Sequence, residues 1–313
     1  MRVGIVGPGA VGLALASALD RTNQVTLLGR DPEQVGAIES SGLIARRPDG
    51  ASVRAHPSIT TDPTQLEAAD VIVLAVKSYD TADAMGDIAP VVGSTPVLTV
   101  QNGFGNVERI ASAAPHSPTL AATTTLGAVR EAPDRVRIAT FGHTTIGPAF
   151  EADQRVVESV AEAFTASGLS VEITTDVEGA IWEKALINAG INPISALARV
   201  PNGRLRSGPG KDLLVQTVEE AATVARAAGY GVTDPVGKTL AVVENSAENR
   251  SSMLRDLMAG NRTEIEALNG AIVARGEDLG VPVPVNRTLT ALVRAGEGGR
   301  SHRNTEIDGD HCR

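Results

Sequence analysis

The chain has little of what several classes of protein require. Its 313 residues include one cysteine, Cys312, and five scattered histidines. A disulfide framework and a thiolate metal site are therefore excluded, and we expect no bound metal. No apolar run is long enough to span a membrane. Glycines interrupt the apolar N-terminal stretch, so we do not interpret that stretch as a signal peptide.

Aromatic residues are scarce, and basic residues are not in excess. Aromatic side chains make up 2% of the chain, so the core must be built from alanine, valine, leucine and isoleucine. The 28 basic and 37 acidic residues give a net charge of −9 and form no basic stripe, which argues against nucleic acid as a partner. We expect a cytoplasmic protein that acts on a small molecule and has no membrane partner; a homodimer is compatible with these features.

The N-terminus carries a glycine-rich turn between a short apolar strand and an alanine-rich helix. In the pattern G-x-G-x-x-G, the first glycine permits the turn, the second lets the backbone approach a pyrophosphate, and the third lets the helix pack on the strand. The pyrophosphate would lie at the helix N-terminus. Glycines also serve ordinary turns, and it is the position directly after a strand that favours nucleotide binding here. The expected pyrophosphate-binding residues are Gly7, Pro8, Gly9, Ala10, Val11 and Gly12.

The end of the second apolar run, Val25-Thr26-Leu27-Leu28, indicates which nucleotide binds. NAD-binding proteins usually place an acid there for the ribose 2′-hydroxyl, whereas this chain continues with Gly29-Arg30. An arginine suits a 2′-phosphate, which favours NADPH. Asp31 is the competing candidate for a ribose contact. Because Pro32 follows it, we favour Asp31 as a helix N-cap followed by proline at the first helical position.

Apolar runs and helical stretches alternate in the first half of the chain, and the second half is helical throughout. Residues 71–76 form a continuous apolar run, as expected for a strand buried in a parallel sheet. The predicted fold class is α/β, with an N-terminal Rossmann-type doubly wound sheet followed by an all-helical C-terminal domain. We expect domains at residues 1–174 and 175–295 and a polar, disordered tail at 296–313. Further strands are predicted near 96–100, 120–122, 136–138, 144–146 and 171–173, and helices near 151–166, 176–197, 211–228, 234–244, 246–258, 263–279 and 284–294.

Two polar residues follow predicted strands of the sheet. Lys77 comes directly after the apolar run that ends at residue 76, and Asn102 follows the run 96–100. Ligands of open α/β sheets bind beyond the carboxyl ends of the strands, so both residues are candidates for the cofactor site. Lys77 would equally suit an exposed loop, and Asn102-Gly103 on its own favours an ordinary turn.

The helix predicted after residue 175 carries an unusual polar stripe. Lys184, Asn188 and Asn192 are spaced by four and share one face of a helix that is otherwise largely apolar. A stripe lining a functional cleft is one explanation, and a solvated face or buried polar pairs between helices is the other. We favour the functional one. Polar clusters at 248–253 and 262–264 could complete a cleft, although each alone would more often be a helix cap or an exposed face.

Taken together, these motifs resemble the ketopantoate reductase (2-dehydropantoate 2-reductase) family over nearly the whole chain, short of the tail. Several ordered motifs at matching spacing are more specific than the glycine turn alone. The matching segments are Gly7-x-Gly9-x-x-Gly12, Val76-Lys77, Gln101-Asn102-Gly103, Thr123-Thr124-Thr125, Trp182-Glu183-Lys184, Asn188, Asn192-Pro193, Pro201-Asn202-Gly203, Ser251-Ser252-Met253-Leu254 and Thr263-Glu264-Ile265.

The resemblance implies an active site between a Rossmann domain and a helical domain. It implies NADPH-dependent reduction of 2-dehydropantoate to pantoate, a step in pantothenate and coenzyme A synthesis, with Lys184 as the proton donor. It further implies that substrate is bound by Asn188, Asn192, Asn202 and Ser252. Residues at the cofactor, or at its junction with substrate, would be Lys77, Asn102, Ala128 and Glu264.

The chain also departs from the family pattern. Gln101 and Leu126 stand where histidine can occur, and Arg255 stands where a neutral residue can occur. Arg255 could alter the contact with the substrate carboxylate, so it puts the substrate in doubt more than the reaction type.

The expected chemistry is hydride transfer to a 2-oxo carbon while a protonated lysine supplies a proton to the oxygen. Glu264 could hold the hydroxyl end of the substrate or pair with Lys184 and tune its pKa. Two rival functions stay open. One is a related NADPH-dependent reductase of another 2-oxo acid or an imine, and the other is a non-catalytic NADP(H)-binding sensor, which would not need Lys184 on the polar stripe.

Overall fold

The computed structural model describes residues 1–297, which divide into two compact units, Met1–Ile181 and a second unit that begins at Trp182. The division falls within a single helix, Val177–Ala198, and thus a few residues after the 174/175 boundary expected from the sequence. The strands, numbered β1 to β12, are Arg2–Val6, Gln24–Leu28, Leu43–Arg46, Ser52–Ala55, Ser58–Thr60, Val71–Leu74, Val97–Thr99, Thr119–Thr124, Gly127–Ala132, Arg135–Thr140, His143–Phe150 and Ser170–Ile173. The α-helices of the described part, numbered α1 to α11, are Ala10–Leu19, Pro32–Ser41, Thr81–Val92, Asn106–Ala113, Gln154–Ala166, Val177–Ala198, Gly208–Ala227, Pro235–Asn245, Ser252–Ala259, Ala271–Leu279 and Pro284–Glu297.

The first unit is built on an eight-stranded sheet with the order β12-β11-β8-β7-β6-β1-β2-β5. Its neighbouring strands are parallel except for the antiparallel pair of β8 and β11. The chain runs from β1 outward to β5 and then returns to the other side of β1 at β6. The carboxyl ends of β1 and β6 therefore form the switch point at which open α/β sheets bind ligands.

Both faces of this sheet are covered, as the continuous apolar run predicted. Every residue of β6 has no exposed surface. One apolar cluster joins the sheet to α1 and α5, and a second joins it to α3 and α4. The predicted doubly wound α/β fold is confirmed, with β6 ending at Leu74 rather than at residue 76.

A second, four-stranded sheet was missed by the sequence analysis. Its order is β4-β3-β10-β9, and only β10 had been predicted as a strand. The strands β3 and β4 have four residues each, of which two are buried in β3 and one in β4. Such short, half-exposed strands carry a weak apolar signal, which is why the pattern did not reveal them.

The second unit is helical in its described part, and its helices match the predicted stretches with two differences. Residues 246–251 belong to the helix predicted at 246–258, but the structure leaves them out of α9. The backbone there pairs with another segment instead, with Asn202 N donating to Asn249 O (2.9 Å) and Gly203 N to Ala247 O (2.9 Å). The helix α9 begins only after Ser251, whose hydroxyl accepts from Leu254 N at 3.1 Å. The stretch predicted at 263–279 contains a π-helical turn, Glu266–Gly270, before α10.

The predicted tail at 296–313 lies outside the described residues from position 298 onward. Its first two residues, Gly296 and Glu297, belong to α11. In the described part of the chain, no helix has both the length and the apolar character needed to cross a membrane.

Candidate active site

The glycine turn after β1 has the geometry expected of a pyrophosphate cradle. Gly7 has a φ of +96°, and a Cβ there would lie 2.8 Å from Val76 N. A Cβ on Gly12 would lie 2.1 Å from Gly7 O, whereas one on Gly9 would have nothing within 4 Å. The first and third glycines are thus required by close packing, while Gly9 leaves open space next to the backbone. The helix α1 begins at Ala10 with no acidic residue in its first turn, so its N-terminus can accept an anion.

Next to this turn lies a cavity of about 440 Å³ beyond the ends of β1 and β2. Arg30 contacts it, and both its Nε (3.0 Å) and Nη2 (2.7 Å) donate to Asp87 Oδ2. The hydrogen bond to Asp87 is the main cause that raises the pKa of Arg30; partial burial opposes it, and the charges of Asp87, Asp83 and Asp80 add to it. The lining residues are Val6, Gly7, Pro8, Leu28, Gly29, Arg30, Thr61, Pro63, Val76, Asp80, Ala84 and Asp87.

Asp31 is the N-cap of α2, as the sequence predicted. Its carboxylate accepts from Glu33 N at 3.0 Å, and Pro32 occupies the first helical position. This capping bond accounts for the Asp-Pro pair without a ribose contact.

The turns after β6 and β7 are joined by partly buried hydrogen bonds. Asn102 O accepts from the Ser78 hydroxyl (2.5 Å) and from Asn106 Nδ2 (3.1 Å). Gln101 Nε2 donates to Val76 O (3.0 Å) and to the Thr81 hydroxyl (2.8 Å). The sequence analysis named Gln101 as part of a matching segment and as a departure from the family, without a structural role. It missed Ser78, Thr81 and Asn106, since no motif marks polar side chains that act by bonding to a neighbouring turn.

Lys77 and Asn102 both border these turns. Lys77 is partly buried and directly precedes the short 3-10 helix Ser78–Asp80. The chain turns at Asn102-Gly103, where Gly103 has a φ of +81°. This agrees with the ordinary turn that the dipeptide on its own favours. Ala128 is buried in β9 of the smaller sheet, where it pairs with Ile138. Glu264, by contrast, belongs to the helical unit.

In that unit, Lys184, Asn188 and Asn192 lie on α6, as predicted. Burial lowers the pKa of Lys184 to about 8, and the negative charge of Glu264 opposes this shift. Glu264 itself is 7% exposed. The charge of Glu264 thus acts on Lys184, in line with one of the two roles that the sequence left open for this glutamate.

The helix α6 contains Pro193, directly after Asn192, the last residue of its polar stripe. Proline has no N–H, so it cannot donate to Ala189 O, its partner in a regular helix. Asn269, at the π-helical turn, donates to this carbonyl from Nδ2 at 3.2 Å and also contacts Asn286 Oδ1 at 3.0 Å. The side chain of Asn269 has no exposed surface. It therefore satisfies the carbonyl that Pro193 leaves without a helical partner, and the sequence analysis had not singled it out.

The remaining predicted substrate-binding residues lie on segments that hydrogen bonds hold together. Asn202 begins a 3-10 helix whose backbone pairs with residues 247–249, just before α9. The Ser195 hydroxyl of α6 donates to Ser251 Oγ at 2.8 Å, next to Ser252. Asn202 Nδ2 donates to Ser246 Oγ (3.0 Å), and its buried Oδ1 has no donor among the residues that the structure describes.

Within residues 1–297, no group of three or more histidine, cysteine, aspartate or glutamate side chains could hold a metal ion. A doubly wound sheet with a glycine-rich turn between its first strand and first helix is typical of proteins that bind NAD(P). Residues 3–150 match the family profile described as "Ketopantoate reductase PanE/ApbA", and residues 176–297 match its C-terminal counterpart. The chain belongs to the ketopantoate reductase family and is an NAD(P)-dependent oxidoreductase.

Similar proteins cover almost the full chain. The 2-dehydropantoate 2-reductase of Halobacterium salinarum is 42% identical over 94% of this chain and 98% of its own length. Among solved structures, a PanE/ApbA family ketopantoate reductase from Ralstonia eutropha JMP134 has a TM-score of 0.87 and 34% identity over 95% of this chain and 98% of its own. A D-mandelate dehydrogenase, solved with NADH and anilino(oxo)acetate, has a TM-score of 0.88 and 26% identity over 95% and 98% of the two chains.

Proposed function

We propose that this protein reduces 2-dehydropantoate to pantoate with NADPH, a step in pantothenate and coenzyme A synthesis. The observation that carries the proposal is Lys184, a lysine with a pKa of about 8 on the polar face of α6 and under the influence of Glu264. The similar protein from Halobacterium salinarum is named 2-dehydropantoate 2-reductase, which supports the choice of substrate.

The residues of the first unit suit a nicotinamide dinucleotide. The open space at Gly9 and the N-terminus of α1 would hold the pyrophosphate, and Arg30 would bind the 2′-phosphate. Lys77, Asn102 and Ala128 would contact the cofactor nearer its reacting end, as the family resemblance implies. When bound, the cofactor supplies a hydride to the 2-oxo carbon.

Lys184 would act as the proton donor. Its ammonium group would donate a hydrogen bond to the keto oxygen and then transfer a proton to it as negative charge develops. With a pKa of about 8, most of this lysine is protonated at neutral pH. A pKa near the working pH also favours proton transfer. The hydride and this proton together convert the ketone into a secondary alcohol, the 2-hydroxy acid.

The neutral polar residues around Lys184 would orient the substrate. Asn188, Asn192 and Ser252 can bind a carboxylate without adding a competing charge. Asn202 presents an acceptor, since its Nδ2 is already bonded to Ser246. Its Oδ1 would accept from the substrate hydroxyl. Glu264 acts on Lys184 through its charge in this proposal and is not required as a direct cofactor ligand.

The test is NADPH oxidation with 2-dehydropantoate, compared with a panel of other 2-oxo acids under the same conditions. We expect 2-dehydropantoate to give the highest kcat/KM of the panel. A higher kcat/KM for another 2-oxo acid would contradict the proposed substrate and leave the oxidoreductase class intact.

Reduction of a different 2-oxo acid is the second candidate function. The similarity to D-mandelate dehydrogenase shows that this fold also serves an enzyme of another 2-hydroxy acid. Arg255, one turn along α9 from Ser251 and Ser252, adds a cation that could change the carboxylate contact. The panel should therefore include an aryl 2-oxo acid.

A further inference from the structure

The arginine expected to recognise the 2′-phosphate already has an anionic partner. Two donors of Arg30, Nε and Nη2, converge on Oδ2 of Asp87. These two nitrogens form one edge of the planar guanidinium group. A phosphate also accepts hydrogen bonds from such an edge. The side chains are 60% and 52% exposed, so the pair is an accessible surface ion pair whose partners can exchange at modest cost.

The surroundings of Arg30 are acidic. Asp80 and Asp87 both line the cavity that Arg30 contacts, and Asp83 lies between them in sequence. All three carboxylates act on the Arg30 charge. A 2′-phosphate carries close to two negative charges at neutral pH, so it would meet one cation and a carboxylate-rich wall. A ribose 2′-hydroxyl, in contrast, can donate to a carboxylate.

We propose that Asp87 is a specificity-determining residue that competes with the 2′-phosphate for Arg30 and thereby limits the preference for NADPH over NADH. This inference rests on the proposed function insofar as the adenosine ribose must lie at Arg30. Binding of NADPH requires Arg30 to leave Asp87 or to share its fork, whereas binding of NADH does not.

The discriminating variant is Asp87→Asn, which keeps the shape of the side chain and removes its charge. Dissociation constants for NADPH and NADH are measured by nucleotide fluorescence without substrate. We expect the Kd for NADPH to fall about two- to fivefold, the range of an exposed ion pair, and the Kd for NADH to change less. The gain should shrink at high ionic strength, because salt screens exposed charges.

Asp83→Asn is the matched control. Asp83 is an exposed residue on the same helix, α3, and it affects Arg30 through its charge without a hydrogen bond to it. Its variant removes the same charge, so a smaller change in the Kd for NADPH is expected. An equal gain in both variants would contradict a specific role of Asp87.

A second pair of ligands separates this inference from the proposed function. Adenosine 2′,5′-bisphosphate and AMP are titrated against the unmutated protein, Asp87→Asn, Arg30→Ala and the double variant. The gain from Asp87→Asn should be largest for the bisphosphate and should shrink in the Arg30→Ala background.

An unchanged or weaker affinity of Asp87→Asn for NADPH and for the bisphosphate overturns the inference, even where the unmutated protein prefers NADPH. If the unmutated protein shows no preference for NADPH but Asp87→Asn does, the inference holds. In that case the NADPH part of the proposed function fails.

Discussion

At the residue scale, the decisive feature is the effect of the Glu264 charge on the pKa of Lys184 in the helical unit. Burial lowers the pKa of Lys184 to about 8, and Glu264 limits that shift. A lysine with its ordinary pKa would hold its proton too tightly for an efficient acid near neutral pH. A buried lysine without a nearby carboxylate would have a still lower pKa and would lose its proton at a lower pH. In the proposed mechanism, the balance between burial and the charge of Glu264 therefore sets what fraction of Lys184 is protonated and able to donate.

Replacement of Lys184 by alanine should lower kcat by a factor on the order of 10² to 10⁴, the range for a lost general acid. Lys238→Ala is the matched control, because Lys238 is an exposed lysine of the same unit that pairs with Glu183 at 2.8 Å. Steady-state kinetics of both variants check this. Comparable turnover in the two variants would show that Lys184 is not the proton donor.

The pH dependence of kcat/KM should have an alkaline limb near pH 8, where Lys184 loses its proton. Glu264 raises the pKa of Lys184, so Glu264→Gln should move this limb to lower pH. Asn192→Ala should lower kcat/KM by an amount that corresponds to about 1–3 kcal/mol of lost hydrogen-bond free energy. It should leave the pH of the alkaline limb unchanged. Identical pH profiles for the two variants and the unmutated enzyme would mean that Glu264 does not tune Lys184.

At the element scale, a buried asparagine replaces the backbone donor that Pro193 removes from α6. Pro193 leaves Ala189 O without its helical donor, and Asn269 of the π-helical turn supplies one. This bond ties the helix that carries the polar stripe to the segment that follows Glu264. The residue that makes this bond belongs to the π-helical turn, a conformation that is frequent at functional sites.

A double-mutant cycle tests this role. Asn269→Leu should cost about 1–3 kcal/mol of unfolding free energy, because it leaves buried acceptors without a donor. Pro193→Ala restores the N–H of residue 193, so the cost of Asn269→Leu should be smaller in that background by about 1 kcal/mol. Trp182, the single tryptophan of the chain, lies on α6 and reports the denaturant transition of this unit by fluorescence. Additive effects would exclude the proposed link.

At the scale of the whole molecule, the residues proposed for cofactor binding and for proton donation lie in different compact units. The glycine turn and Arg30 lie in the first, and Lys184 with its asparagines lies in the second. A ligand that binds only the folded state stabilises it by mass action. Cofactor binding and proton donation should therefore be separable by substitutions in one unit or the other.

NADPH at one hundred times its Kd should stabilise the protein by about 2.7 kcal/mol. The same gain is expected for Lys184→Ala, because the residues proposed to hold the cofactor lie in the first unit. Thermal unfolding with and without NADPH measures both. A variant that loses this stabilisation together with its turnover would show that Lys184 is needed for cofactor binding.

The sequence by itself determined the features that depend on local periodicity and on backbone restrictions. The turn at Gly7, the cap at Asp31 and the buried strand at 71–74 follow from which residues each conformation allows. The stripe of Lys184 and Asn188 on one face follows from the helical repeat alone. These signals act over a few residues, so they can be recognised without knowledge of the fold.

Tertiary structure decided what depends on contacts between distant segments. The partner of Arg30 is 57 residues away in sequence, and the asparagine that contacts Ala189 O is 80 residues away. The pKa of Lys184 depends on how many protein atoms replace water around it and on the charge of Glu264. The burial of a single polar side chain and the partners of long-range hydrogen bonds leave no periodic trace in the sequence, which is why only the folded chain reveals them.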